Sequence, residues 1–366
     1  MSRVTPRPLA AGPSGAPRSP RFVAESILVI RLGALGDVVR TRFAFPGLRE
    51  LYPSARIDWL VDDHSAAGLD GIVGVDDRVV VPRAGSGERA PQVWRRLPRL
   101  VRQLRSRRYD LVLDFHGIAR SGILARLTGA PHRVGYAQPV ARDRVHRLYT
   151  DHVRLERTHV SRFERNAAMI EFLGGKAPAT APPLELPEGT GPAVSLRACV
   201  ILHPGTSGST RYKRWPAESF GALARLLAAG DPALECLVSF GPVDGERQTA
   251  LEVVRASQGA ARLAEPTPSV AATIARLRGA AAFVGSDSGP MHLASLAGTP
   301  LVALFGPTDP IENAPFAGSP SKRIWTDVGC NPCREGCPWS TCMRVLEPER
   351  VAAAVRSLIA AGRERD

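Results

Sequence analysis

Aromatic side chains are scarce in this chain, at 6% of 366 residues, and no apolar run reaches the roughly 18–20 residues that a membrane-spanning helix needs. A protein that holds nucleic acid by stacking interleaves its basic residues with rings, so the shortage counts against that class. Acid is short as well: 35 Asp and Glu face 48 Lys and Arg, for a net charge of +13. Such an excess attracts anionic partners, and an acidic membrane surface or an acidic glycolipid fits a ring-poor chain. Cysteine numbers only six, four of them crowded into Cys330–Cys342, so no disulfide framework laces the chain. The first 25 residues are rich in Pro, Ser, Gly and Arg but lack the apolar stretch of a secretory signal. They read as a disordered basic tail on a cytoplasmic protein.

What the chain does have is alternation. Strand-like runs at Ile27–Leu32, Ile57–Val61, Asp77–Val81 and Leu111–Asp114 are separated by helical patterns, with a single helix expected over Gly36–Leu51. The alternation stops in the Pro/Ala/Gly-rich stretch Gly174–Ser195. It resumes with a strand at Ala198–Leu202, a helix at Ala217–Ala228, a strand at Glu235–Phe240 and a strand–turn–helix–strand unit at Phe283–Pro310. Short buried runs between helices imply parallel sheets covered on both faces. The length is too great for one core. The expected fold is α/β, two Rossmann-like doubly wound domains facing across a cleft. The expected divisions are a tail (1–25), a first domain (26–175), a linker (176–196), a second domain (197–347) and a C-terminal helix (348–366). Val93–Asp110 carries seven arginines and no acid before Asp110, with Trp94, Leu97, Val101 and Leu104 at helical spacing. It reads as a helix on the sheet with an Arg-rich outer face, restarted or kinked at Pro98. Such a face can also meet acidic headgroups.

Four segments carry chemistry. In Phe283–Pro310 an apolar run ends in Gly285-Ser286-Asp287-Ser288-Gly289, where Ser286 or Ser288 can cap the helix and Pro290 suits its first turn. The free N–H groups and the helix dipole then seat a phosphate, with Asp287 at the strand's carboxyl end, where such sheets bind ligands. Thr308 and Asp309 end the next strand on the same rim. Gly33-Ala-Leu-Gly36-Asp37 lets the backbone approach a ligand but is not the dinucleotide fingerprint. Asp37 there either reaches a ligand or serves the helix dipole. His203–Pro216 offers Thr206 and other hydroxyls and then Lys213 and Arg214, donors and charge of the kind a diphosphate needs, or else a solvated loop. His292 reads as a packing residue, and Gly241–Asp244 as a further strand-end turn. The C-x2-C-x3-C-x4-C spacing of Cys330, Cys333, Cys337 and Cys342 admits a structural zinc site or reduced thiols, while Cys199 and Cys236 read as core.

Taken in order, Ile27–Asp37 (ILVIRLGALGD), Tyr109–Gly117 with Arg133–Tyr136, Leu202–Pro216 (LHPGTSGSTRYKRWP) and Phe283–Pro310 resemble the ADP-heptose:lipopolysaccharide heptosyltransferases of glycosyltransferase family 9. The resemblance implies the GT-B architecture and inverting transfer of a heptosyl unit from ADP-heptose to a lipid-linked inner-core acceptor. It implies Asp37 as general base, Lys213 neutralising the departing ADP, and Asp287 holding the sugar. Thr206, Ser288, Gly289, Met291 and Thr308 complete the donor site, and Asp114, His116 and Arg120 are the candidates for acceptor recognition. No cofactor is required for catalysis, and only a structural zinc remains open. The implied partners are the ADP-heptose donor, an acidic glycolipid and the cytoplasmic face of the inner membrane, with no nucleic acid. The cysteine loop is expected to lie away from the donor and the last helix to return toward the first domain. The alternatives are transfer from another nucleotide sugar, a nucleotide-sugar epimerase, and a metal-stabilised nucleic-acid-binding protein.

Overall fold

The computed structural model describes residues 20–72, 74–81, 90–178, 198–242, 245–333 and 335–364, with the side chains of 90–96 excepted. Most of the expected tail and linker, and Asp244, lie outside them. The first half runs β1 (Ser26–Ile30), α1 (Leu35–Arg42), α2 (Phe45–Leu51), β2 (Arg56–Asp62), β3 (Asp77–Val81), α3 (Ala90–Ser106), β4 (Leu111–Asp114), α4 (Ala119–Leu127), β5 (His132–Tyr136), β6 (Asp151–Val153) and α5 (Arg162–Phe172). The second runs β7 (Cys199–His203), α6 (Ala217–Gly230), β8 (Glu235–Val238), α7 (Glu246–Ala256), β9 (Ala261–Leu263), α8 (Val270–Gly279), β10 (Ala282–Ser286), α9 (Gly289–Ala297), β11 (Leu301–Leu304), β12 (Ser321–Ile324), α10 (Thr341–Arg344) and α11 (Pro348–Arg363).

Each half holds one six-stranded parallel sheet. The orders are β3-β2-β1-β4-β5-β6 and β12-β11-β10-β7-β8-β9, so the second sheet repeats the first when counted from its own first strand. β4 (LVLD) and β7 (CVILH) are buried along their whole length, as continuous apolar runs must be in a sheet covered on both faces. Each fully buried Val, Leu or Ile there contributes about 1.5–3 kcal/mol. In both sheets the order reverses beside the first strand, between β1 and β4 and between β7 and β10. Open α/β sheets bind ligands in the crevice at such a point.

Three expectations change on the structure. The helix expected over Gly36–Leu51 is two helices, because Pro46 lacks the N–H an interior position needs and instead starts α2. α3 passes through Pro98 without a break, and Leu97, Leu100 and Leu104 pack it onto the first sheet beside Leu124 and Ala125 of α4. α11 does not return to the first half: Val351, Ala352, Val355 and Leu358 are buried in the second core.

The halves meet through a shared apolar cluster. Phe43 of the first half packs on Phe163 at 5.6 Å between ring centroids and on Phe316 of the second half at 4.1 Å. Val39 joins them, with Met291 and Leu293 from α9. Next to this cluster the start of α1 abuts the start of α9. A Cβ on Gly36 would lie 3.3 Å from the Gly289 Cα and 3.1 Å from the His292 ring, so the approach depends on glycine.

Candidate active site

The abutting helix starts bring two carboxylates near each other, one from each half. Asp37, in the first turn of α1, pairs through one oxygen with Arg31 from the end of β1 and through the other with Arg40 one turn on. Arg162, opening α5, lies 3.8 Å away. Burial pushes the Asp37 carboxyl up, but Arg31, Arg40 and Arg162 overcome it and hold the group well below the usual carboxylate range. Arg31 is itself fixed by donating to the Phe115 carbonyl at 2.8 Å. A cleft of about 170 Å³ opens here, and Arg142, Arg165, His116 and Tyr136 also line it. Burial, with Arg31 nearby, pushes the His116 imidazole down to about 3, so the ring is neutral at ordinary pH.

In the second half, Asp287 follows β10 and accepts from Lys213 Nζ at 3.0 Å, while His292 Nε2 stands 3.5 Å from its other oxygen. Burial opposes ionisation, yet His292, Lys213 and Arg40 keep this carboxyl far below its usual range. Burial also pushes His292 down to about 4. Of the two serines the sequence offers as caps, Ser288 is the N-cap of α9, but its hydroxyl makes no capping bond. The Ser286 and Ser288 hydroxyls and His292 Nδ1 are buried without a partner among the described residues. A helix start with free N–H groups, unpartnered hydroxyls and one lysine has the donor set for a phosphate.

Other predicted residues lie around this centre with differing roles. The Thr206 hydroxyl is engaged within its own loop, donating to the Thr210 carbonyl at 2.9 Å and accepting from Arg214 Nε at 3.2 Å. The Met291 side chain is buried in the cluster between the halves, which leaves only its backbone for a ligand. Thr308 is buried on the rim; its neighbour Asp309 accepts from the N–H groups of Ile311 and Glu312 and pairs with His159 at 2.7 Å. Asp114 is fully buried, accepting from the N–H groups of His116 and Gly117 and from the Tyr149 hydroxyl at 2.7 Å, so it shapes the turn that carries His116. Arg120 pairs with Asp62 at 3.0 Å.

The cysteine loop does not lie away from the His203–Pro216 segment expected to meet the donor. Gly336 is pressed flat against the Tyr212 ring, next to Lys213, where a Cβ would come within 2.2 Å. Cys330, Cys333 and Cys337 are exposed and Cys342 is buried. Among the described residues no three His, Cys, Asp or Glu side chains are grouped to hold a metal ion.

Sequence reading did not single out Arg31, Arg40, Arg162 or Arg165, because arginine is common throughout the chain and these four share no local pattern. It also passed over Glu246. That carboxylate accepts from the Gly241 N–H at 2.7 Å, lies against Gly205, and is pushed up by burial. Two glycines at two strand ends, each leaving room for the same acid, were the available signal.

Residues 97–341 match the model of glycosyltransferase family 9 (heptosyltransferase). The chain is 26% identical over 377 residues to lipopolysaccharide heptosyltransferase 1 of Pseudomonas aeruginosa PAO1, covering 92% of this chain and 98% of the relative. The crystal structure of a family 9 glycosyltransferase from Veillonella parvula superposes with a TM-score of 0.73 at 22% identity, covering 92% of this chain and 97% of that one. Escherichia coli heptosyltransferase WaaC with ADP-2-deoxy-2-fluoro heptose gives 0.69 at 21% identity, covering 91% and 99%. The two doubly wound halves are thus the GT-B fold of these enzymes.

Proposed function

This chain belongs to glycosyltransferase family 9, and from that premise we propose that it transfers a heptosyl unit from ADP-heptose to a hydroxyl of an acidic, lipid-linked saccharide. The observation that carries the reading is the close approach of two charged helix starts: Asp37 at the start of α1 and the Lys213–Asp287 pair at the start of α9. The donor diphosphate rests on the free N–H groups of α9 and on Lys213, and Asp287 holds hydroxyls of the sugar. Glu246, at the start of α7 and against the turns after β7 and β8, takes the ribose hydroxyls.

The acceptor hydroxyl attacks the anomeric carbon from the side opposite the diphosphate. A carbon–oxygen bond forms as the bond to phosphate breaks; the electron pair leaves with ADP, the proton goes to Asp37, and the configuration inverts. Lys213 and the helix dipole meet the charge growing on the β-phosphate, so transfer is expected to persist in EDTA. Arg142 and Arg165 in the cleft wall suit the carboxylates or phosphates of an acidic acceptor.

No described helix is long and apolar enough to cross a membrane. α3 and α4 pack side by side and expose Arg99, Arg102, Arg105 and Arg126 with Ile123, which is 50% exposed. This face is assigned to the anionic surface that carries the acceptor, each Arg worth about 1 kcal/mol there. Calorimetry with ADP and UDP, followed by transfer from ADP-heptose to an inner-core acceptor, tests the reading. Selective ADP binding with transfer is expected. A preference for UDP, or binding without transfer to any acidic saccharide acceptor, would reject it.

A further inference from the structure

Arg40 is explained by neither half alone. It is 6% exposed, pairs with Asp37 on its own helix, and donates from Nη1 to Asn313 Oδ1 of the second half at 3.2 Å. Its Nε is buried with no partner among the described residues. Its charge also acts on Asp287 and His292, which places the guanidinium within electrostatic reach of the start of α9. Asp37, meanwhile, has cations to spare, with Arg31 on its other oxygen and Arg162 at 3.8 Å. The groups facing it are Arg31 beyond β1, Arg40 from its own helix, Arg162 from α5 and His116 beyond β4, the last neutral.

We propose that Arg40 is a shared cation, holding Asp37 before the donor arrives and turning to the donor diphosphate when it binds. The inference rests on the donor site assigned above. Its consequence is a coupling between the two substrates' sites. A carboxylate between two guanidinium groups accepts a proton poorly; with one of them drawn to the phosphate, Asp37 keeps Arg31 as its anchor and regains a free oxygen. The base therefore gains strength only when a diphosphate occupies the donor site. Linkage makes the effect mutual, so whatever loosens Arg40 from Asp37 tightens nucleotide binding.

A double-mutant cycle on the full chain reads this directly, with ADP as the probe in calorimetry. Arg40→Gln is expected to weaken ADP binding about tenfold, the loss of one charge-assisted hydrogen bond. Arg40→Lys keeps the charge and should recover part of the affinity, which separates a lost contact from lost folding. Asp37→Asn is expected to tighten ADP binding about threefold by releasing Arg40, and to have no effect in the Arg40→Gln background. Additive effects, with Asp37→Asn tightening ADP equally in both backgrounds, would overturn the sharing of Arg40 and leave the donor site standing. No ADP binding by the unaltered protein would overturn both.

Discussion

Beyond β1 the chain sets a carboxylate among three guanidinium groups, and beyond β10 it sets another beside one lysine and a neutral histidine. The two sheets have the same strand order, so backbone topology cannot account for the difference. Topology supplies the address, a crevice where the strand order reverses, and side chains decide what is received there. The first crevice is rimmed with arginine, suited to an acidic ligand. The second is a helix start with hydroxyls unpartnered among the described residues, suited to a phosphate. The two are coupled because Arg40 belongs to one and acts on both.

The comparison breaks most visibly at its charged centres. Asp37→Asn keeps shape but removes the base, and should lower kcat by roughly 10²–10⁴-fold without weakening ADP binding. A variant within tenfold of the unaltered enzyme would move the base elsewhere. Lys213→Met should weaken ADP binding about ten- to hundredfold, as expected for a charge-assisted bond, and lower kcat/KM at least as much. Equal affinity in calorimetry would show that the second crevice does not use this lysine.

A smaller effect tests the contact between the crevices. Gly36→Ala puts a methyl 3.3 Å from the Gly289 Cα, and the strain should cost about 1–3 kcal/mol in denaturant unfolding. Because the added group parts the halves, kcat/KM should fall further than ADP affinity does. Equal losses would mean that the close approach serves only the donor side.

The least effect is on pH dependence. His292 is held at about 4 by burial, below the ordinary value near 6.5 of an unfolded chain. Between those values the unfolded state binds a proton that the folded state refuses, so stability is full above the window and falls as pH drops through it. His292→Gln removes this proton and should flatten the slope of stability against pH by at most about 1.4 kcal/mol per unit between pH 6.5 and 4. His116, held at about 3 on the other side, keeps its own share of the slope. An unchanged slope would mean that the ring is not held neutral.

Much of this could be read before any coordinates. β3 and β4 have the bounds their apolar runs predict, and Asp37, Lys213 and Asp287 stand out because each follows a glycine-marked or hydroxyl-rich turn after a strand. Such signals are local. The direction of a side chain from a helix start is not: packing draws the Met291 side chain into the apolar cluster and leaves only the backbone N–H that the sequence offers there. The arginines around Asp37 are separated by up to 131 residues and meet only when α5 crosses to the cleft; no short window contains them. Pro46 is a local signal of the other kind: a proline suits the first turn of a helix and not its interior, and α2 starts there.

The packing of Phe43 and Phe163 against Phe316 sets a limit on how far this molecule can be divided. Each half closes its own sheet, yet each also surrenders part of its apolar surface to a core that exists only when both are present. Cut within Gly174–Ser195, the chain should yield two fragments that stay together without a peptide bond. Either one made by itself would carry an exposed greasy face and a tendency to aggregate. The halves are alike in plan, but they are not spare parts: a graft from a relative must bring the matching half of that aromatic joint with it.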